Sequence, residues 1–206
     1  MCIMAVSRRT AVLSVAVALP AIILAIIGVT HPQHLTMASA LYWRNLHIVT
    51  LPIFPLLAVP PVIIANRVAR RWAAWVSAVL GFVFACFYTG LDVLAGIGAG
   101  GLELDSMGMA TTTLFGLGRD LGAIGAVALI VDVLFVGILA IRRIGWRAIA
   151  GSLLLLVGSA FLEHDHIYFP IGVAGQVLLA GGFVWLVLVT SRTTPRMTSP
   201  AVAPAG

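Results

Sequence analysis

The chain has 206 residues, 61% of them hydrophobic and 9% charged, with a mean hydropathy of +1.12. A soluble domain cannot hide that much apolar surface, so its solvent is a lipid bilayer. The net charge of +5 comes from 12 cations, all Arg, set beside membrane-length apolar runs; they read as topology anchors against an anionic leaflet, which excludes nucleic acid as a partner.

In chain order, six spans are expected, each near the ~20 residues that a bilayer core requires. The first covers 11–29. Ser7-Arg8-Arg9-Thr10 ahead of it resembles a twin-arginine export signal, but the run is long enough to span and no small-x-small cleavage site follows, so a retained first helix is expected. The second span, 45–65, carries Pro52, Pro55, Pro60 and Pro61, which should kink it and turn the freed carbonyls toward protein. The remaining spans are 72–97, 121–141, 144–162 and 167–190. Residues 191–206, rich in Pro, Ser and Thr, are expected to form a disordered tail, which leaves 1–190 as one transmembrane domain.

Charge sets the orientation. Arg8, Arg9, Arg67, Arg70, Arg71, Arg142, Arg143, Arg147, Arg192 and Arg196 fall in alternate gaps between spans, and Glu103, Asp105, Asp120, Glu163 and Asp165 in the others. Only Arg44 and Arg119 break the rule. By the positive-inside rule the fold class is all-α: a polytopic bundle of six transmembrane helices in the cell membrane, both termini cytoplasmic. Abundant Ala, Val, Gly and Arg with no Lys points to a GC-rich bacterial genome. The outer connections are then 30–44, 98–120 and 163–166; the second, rich in Gly and with Thr at 111–113, reads as a lid. Gly118, Gly125 and Asp132 share a stripe on the fourth span, and Gly172, Gly175 and Gly182 lie along the sixth, as close helix packing requires. Asp132 should therefore point inward, with Gln176 as a candidate hydrogen-bond partner.

The chemistry gathers on the outer side. His31, His34, His47, His164 and His166 all lie there, and Asp92 sits about two turns below the outer end of the third span. Only 15 residues separate Arg147 from Glu163, roughly 22 Å of helix at ~1.5 Å per residue, so Glu163-His164-Asp165-His166 should be drawn beneath the surface as a tight hairpin. A polar pocket is expected there, walled by spans two, three and four and the five–six hairpin. Asp92 and Asp132 are carboxyls at bilayer depth, which cost several kcal/mol and rarely persist without a role. A protonated acid beside aromatic walls can donate a proton and stabilise a cation. Trp43, Phe87, Tyr88 and Tyr168 supply such walls, with His47 and Asp132 also expected to line the pocket.

These acids and aromatics, with the small size and helical membrane character, resemble the small integral-membrane terpene cyclases of meroterpenoid and indole-terpenoid pathways. The resemblance implies an enzyme that cyclises a prenylated, lipophilic isoprenoid substrate by protonation, with no metal and no cofactor. Asp92 would be the proton donor, with Glu163 or Asp120 as its partner. Members generally have seven spans, against six here. The histidines support a second reading: His31, His34, His164 and His166, with Met37, Met107 and Met109, are donors suited to zinc or copper, and His47 with His164 to a haem. A third reading is a non-catalytic accessory subunit. The two cysteines, Cys2 and Cys86, form no CxxC pair, so dithiol redox chemistry is excluded. Ser152 and Ser159 lack a histidine partner for intramembrane proteolysis, and the outer side lacks the basic motifs of a lipid phosphatase. P-loop and dinucleotide fingerprints and internal repeats are absent.

Overall fold

A computed structural model describes residues 7–191, and every regular element among them is helical. Helix α1 (Arg8–Val29) starts at Ser7, whose hydroxyl accepts from the Thr10 amide and satisfies one orphan donor of the first turn. Next come α2 (Ala40–Thr50), a 3-10 turn (Phe54–Ala58) and α3 (Val59–Val68). The prolines explain this three-part segment. Pro52 and Pro55 remove the amides that would continue α2, and the chain tightens to 3-10 geometry before resuming.

Helix α4 (Arg71–Leu91) passes through a π-helical segment, Asp92–Gly98, into α5 (Ala99–Leu104). Helix α6 (Gly108–Ile144) is 37 residues long, roughly 55 Å, well beyond the ~30 Å bilayer core. It ends at Gly145, whose φ of +78° suits glycine and reverses the chain into a 3-10 turn and α7 (Ile149–Asp165). Helix α8 (Ile171–Ser191) closes the described chain. Among the described residues five stretches are long and apolar enough to cross a membrane: Arg8–Val29, Ala40–Val68, Arg71–Leu104, Gly108–Asp165 and Ile171–Ser191. The fourth is the one that Gly145 divides.

The expected lid over 98–120 is corrected. Apart from the turn around Ser106, that segment is helical, because α6 begins at Gly108 rather than near residue 121. Thr111 tolerates the helix by donating its hydroxyl back to the Gly108 carbonyl. The tail at 192–206, with Arg192 and Arg196, lies outside the described residues, as does Cys2.

Helices α4 and α6 pack along their length, as do α6 with α7, α7 with α8 and α8 with α1. Glycines on the expected stripes permit this: Gly118 abuts Ala95, Gly125 abuts the Tyr88 amide, and Gly175 and Gly182 abut α7. The core holds Leu24, Phe54, Ile64, Phe84, Leu129, Leu155 and Phe183. Large apolar side chains such as Val15, Trp75, Phe82 and Val127 face outward, as the lipid-facing surface of a bundle requires. Apart from Arg44 and Arg119, the described arginines lie toward one end, where Arg67 donates to Thr190 and Ser191, and the histidines lie at the other.

Candidate metal centre

Three imidazoles converge at the histidine end. His31 follows α1, His47 lies on α2, and His166 caps α7; one ligand nitrogen from each falls within 4.8 Å of the other two. Two glycines make the convergence possible. Gly28 brings the end of α1 against the Ile167 carbonyl, so His31 arrives beside His166. Gly96, in the π-helical segment, lets the His47 ring pass where any Cβ would collide with it. That segment also turns the Ala95 carbonyl toward the Trp43 indole N–H, which donates to it at 3.1 Å.

Hydrogen bonds fix how the rings face. His47 Nδ1 lies 2.7 Å from the Trp43 carbonyl and His31 Nδ1 lies 2.8 Å from the Pro32 carbonyl. A carbonyl only accepts, so both Nδ1 atoms carry the proton and both Nε2 atoms present lone pairs. Those two Nε2 atoms are 3.5 Å apart, where two neutral rings of this tautomer have no proton to share. His166 Nδ1 pairs with the Tyr88 hydroxyl at 2.7 Å, and its buried Nε2 has no hydrogen-bond partner among the described residues. His166 also has φ +51° and ψ −120°, a costly conformation for a residue with a Cβ and one that tends to occur at functional sites. Its ring lies parallel to His47 at 6.2 Å between centroids and stacks on Phe54 at 5.1 Å.

Burial pushes His31 down to about 4, and it holds His166 well below the ordinary histidine value, the neighbouring imidazoles adding to the effect. Both rings are therefore neutral at physiological pH. Asp92 stands behind His47, fully buried, with Oδ1 3.9 Å from His47 Nε2 and no hydrogen-bond partner among the described residues. Its other oxygen accepts a long hydrogen bond of 3.5 Å from Thr50.

A cleft of about 240 Å³ opens beside the imidazoles, between α2, α4, α6 and the α7–α8 turn. Trp43, Tyr88, Phe115 and Tyr168 supply aromatic walls, and Gly122, Ala123 and Ala126 a floor of small residues. Arg119, Glu163 and His164 stand at its exposed rim.

Of the residues singled out from sequence, Trp43, His47, Tyr88, Glu163 and Tyr168 line this cleft. Asp92 does not; it faces Thr50 and His47 instead. Three expectations are corrected. Asp120 is exposed and pairs with Arg119 at 3.7 Å, because helix α6 runs through this position and turns it outward. Phe87, one residue from Tyr88, is rotated about 100° around α4 and lies half-buried away from the cleft. Asp132 is buried elsewhere, accepting from Ser77 at 3.0 Å, while the Gln176 side chain has no hydrogen-bond partner among the described residues. In the metal-ligand expectation, His31 and His166 take part, joined by His47, while His34 and His164 are exposed and Met37, Met107 and Met109 face outward. The usable signal was position: these three histidines stand at, or within two turns of, helix ends.

Comparison with protein-family models, curated proteins and solved structures gives no match to this chain.

Proposed function

We propose that the chain is a six-span protein of the cell membrane, both termini cytoplasmic, that binds a divalent transition-metal ion through His31, His47 and His166. Division of the Gly108–Asp165 stretch at Gly145, with α6 packed on α7, supports six crossings. The gathering of the described arginines other than Arg44 and Arg119 toward one end supports the orientation.

One observation carries the metal reading: buried imidazole lone pairs face each other with no proton between them. That arrangement repels, and a cation placed between the nitrogens turns the repulsion into coordination. A tetrahedral ion with metal–nitrogen bonds of ~2.0–2.1 Å holds its ligands roughly 3.4 Å apart. The His31–His47 pair at 3.5 Å already has that span, and the His166 nitrogen, within 4.8 Å of both, needs to move by up to about 1.4 Å. The backbone carbonyls on His31 and His47 orient the rings as outer-shell partners of metal-bound imidazoles do. Asp92 supplies the counter-charge. A bare divalent ion among neutral ligands is costly at this depth, and a carboxylate beside it offsets half the charge.

The aromatic walls of the cleft also suit a lipophilic isoprenoid substrate, for which Glu163 and Asp165 are the acids on the cleft wall, Asp92 being set back from it. Metal analysis of the purified protein tests the proposal. After loading with Zn(II), Co(II) or Cu(II) and desalting, about one ion per chain is expected, lost in a His31→Ala, His47→Ala double variant that still elutes as a folded protein. Absence of stoichiometric metal after loading with all three ions would sink the reading.

A further inference from the structure

Where the ligands stand decides what kind of metal site this is. Structural ions are closed in by protein donors, whereas reactive ones keep a position free. Two of the three imidazoles, His47 and His166, border the cleft. His31, 4% exposed, and Asp92, 0% exposed, do not border it. The three imidazoles thus approach from the cleft's flank, at His47 and His166, and from behind its wall, at His31. On the cleft wall the Tyr88 hydroxyl is paired with His166 and the Trp43 indole N–H with the Ala95 carbonyl, while Asp165 and Tyr168 also line it. Glu163 and His164 are exposed at the rim.

We infer that an ion held by these histidines keeps one coordination position open toward the cleft, and that a small molecule with an oxygen or nitrogen donor atom and a compact apolar body binds there. This rests on the metal reading. The donor atom would meet the ion between His47 and His166, and the apolar body would lie against Trp43 and Phe115, over Ala123. Without such a molecule the position would hold water. The small residues of α6 matter to this arrangement: Ala123 is exposed and lines the cleft, so a larger side chain there fills it without displacing backbone.

Co(II)-loaded protein provides the test, because its visible d–d bands report coordination directly. Azide is the probe. In the wild-type protein azide should shift the bands saturably. Ala123→Phe should retain one Co(II) per chain and bind azide at least tenfold more weakly; Ala123→Leu serves the same purpose if Phe prevents assembly. Co(II) uptake with bands indifferent to azide would show a closed site and overturn the inference alone. An azide response equal in wild type and the Ala123 variants would overturn the cleft as its route. Failure of the wild-type protein to take up Co(II) would remove the metal reading itself.

Discussion

Two buried carboxyls, Asp92 and Asp132, are each fully shielded from solvent and each leave Oδ1 without a hydrogen-bond partner among the described residues. Their surroundings differ. Asp132 lies seven residues along α6 from Gly125, roughly 10 Å deeper in the bundle than Tyr88, and its neighbour is the Ser77 hydroxyl at 3.0 Å. Asp92 lies 3.9 Å from His47, one of three imidazoles whose nitrogens converge beside a cleft. A costly acid at bilayer depth marks a position where something polar is needed. What it does is set by its partners: a serine gives an interhelical tie, whereas converging imidazole nitrogens offer a place for the proposed cation.

The strongest way to break this comparison is at the ligands. His47→Ala removes one nitrogen and the ring that Gly96 is shaped to admit, and metal affinity should fall by roughly a hundredfold or more. Competition with a chromophoric chelator measures it. Unchanged affinity would mean that the ion, if bound, sits elsewhere. Asp92→Asn should come next, with a loss of about 10–100-fold, because the amide keeps the shape but not the charge. Its stability without metal should change little, as an amide oxygen can keep the 3.5 Å Thr50 contact and the 3.9 Å approach to His47 is too long for a hydrogen bond.

Ser77→Ala attacks the other acid. It takes away the one hydrogen bond that Asp132 accepts, and leaving a buried polar group unsatisfied costs about 1–3 kcal/mol. Thermal unfolding in detergent should show that loss while metal affinity stays at the wild-type value. A drop in affinity would mean that the two clusters communicate.

Much of the architecture was legible because it follows from local rules. Arginine placement, apolar run length and glycine stripes each act within one helix or its ends. The extended α6 was not legible: Thr111, Thr112, Thr113 and nearby glycines read as loop, yet hydroxyl back-bonding and the length of the helix beyond the bilayer core carry them as helix. The site was half legible. His47, Trp43 and Tyr88 could be placed by helical register, and the outer hairpin by its short reach. That His31 meets His166, 135 positions along the chain, depends on one close approach at Gly28, which no local pattern announces. The π-helical turn that begins at Asp92 was equally silent; it follows from the fit of Gly96 against His47 and shifts the register of everything after Leu91.

The smallest expected effect sharpens the comparison most. Asp132→Asn keeps an oxygen that can accept from Ser77, so the tie between α4 and α6 survives and stability should move by less than about 1 kcal/mol. No imidazole or cleft-lining group is its hydrogen-bond partner, so metal stoichiometry, affinity and the azide response should match the wild type. Set beside Asp92→Asn, this is a paired control of identical chemistry at two fully buried carboxyls. Equal losses at both positions would show that any buried charge in this bundle governs ion uptake. A loss at Asp92 alone assigns the effect to its place behind His47.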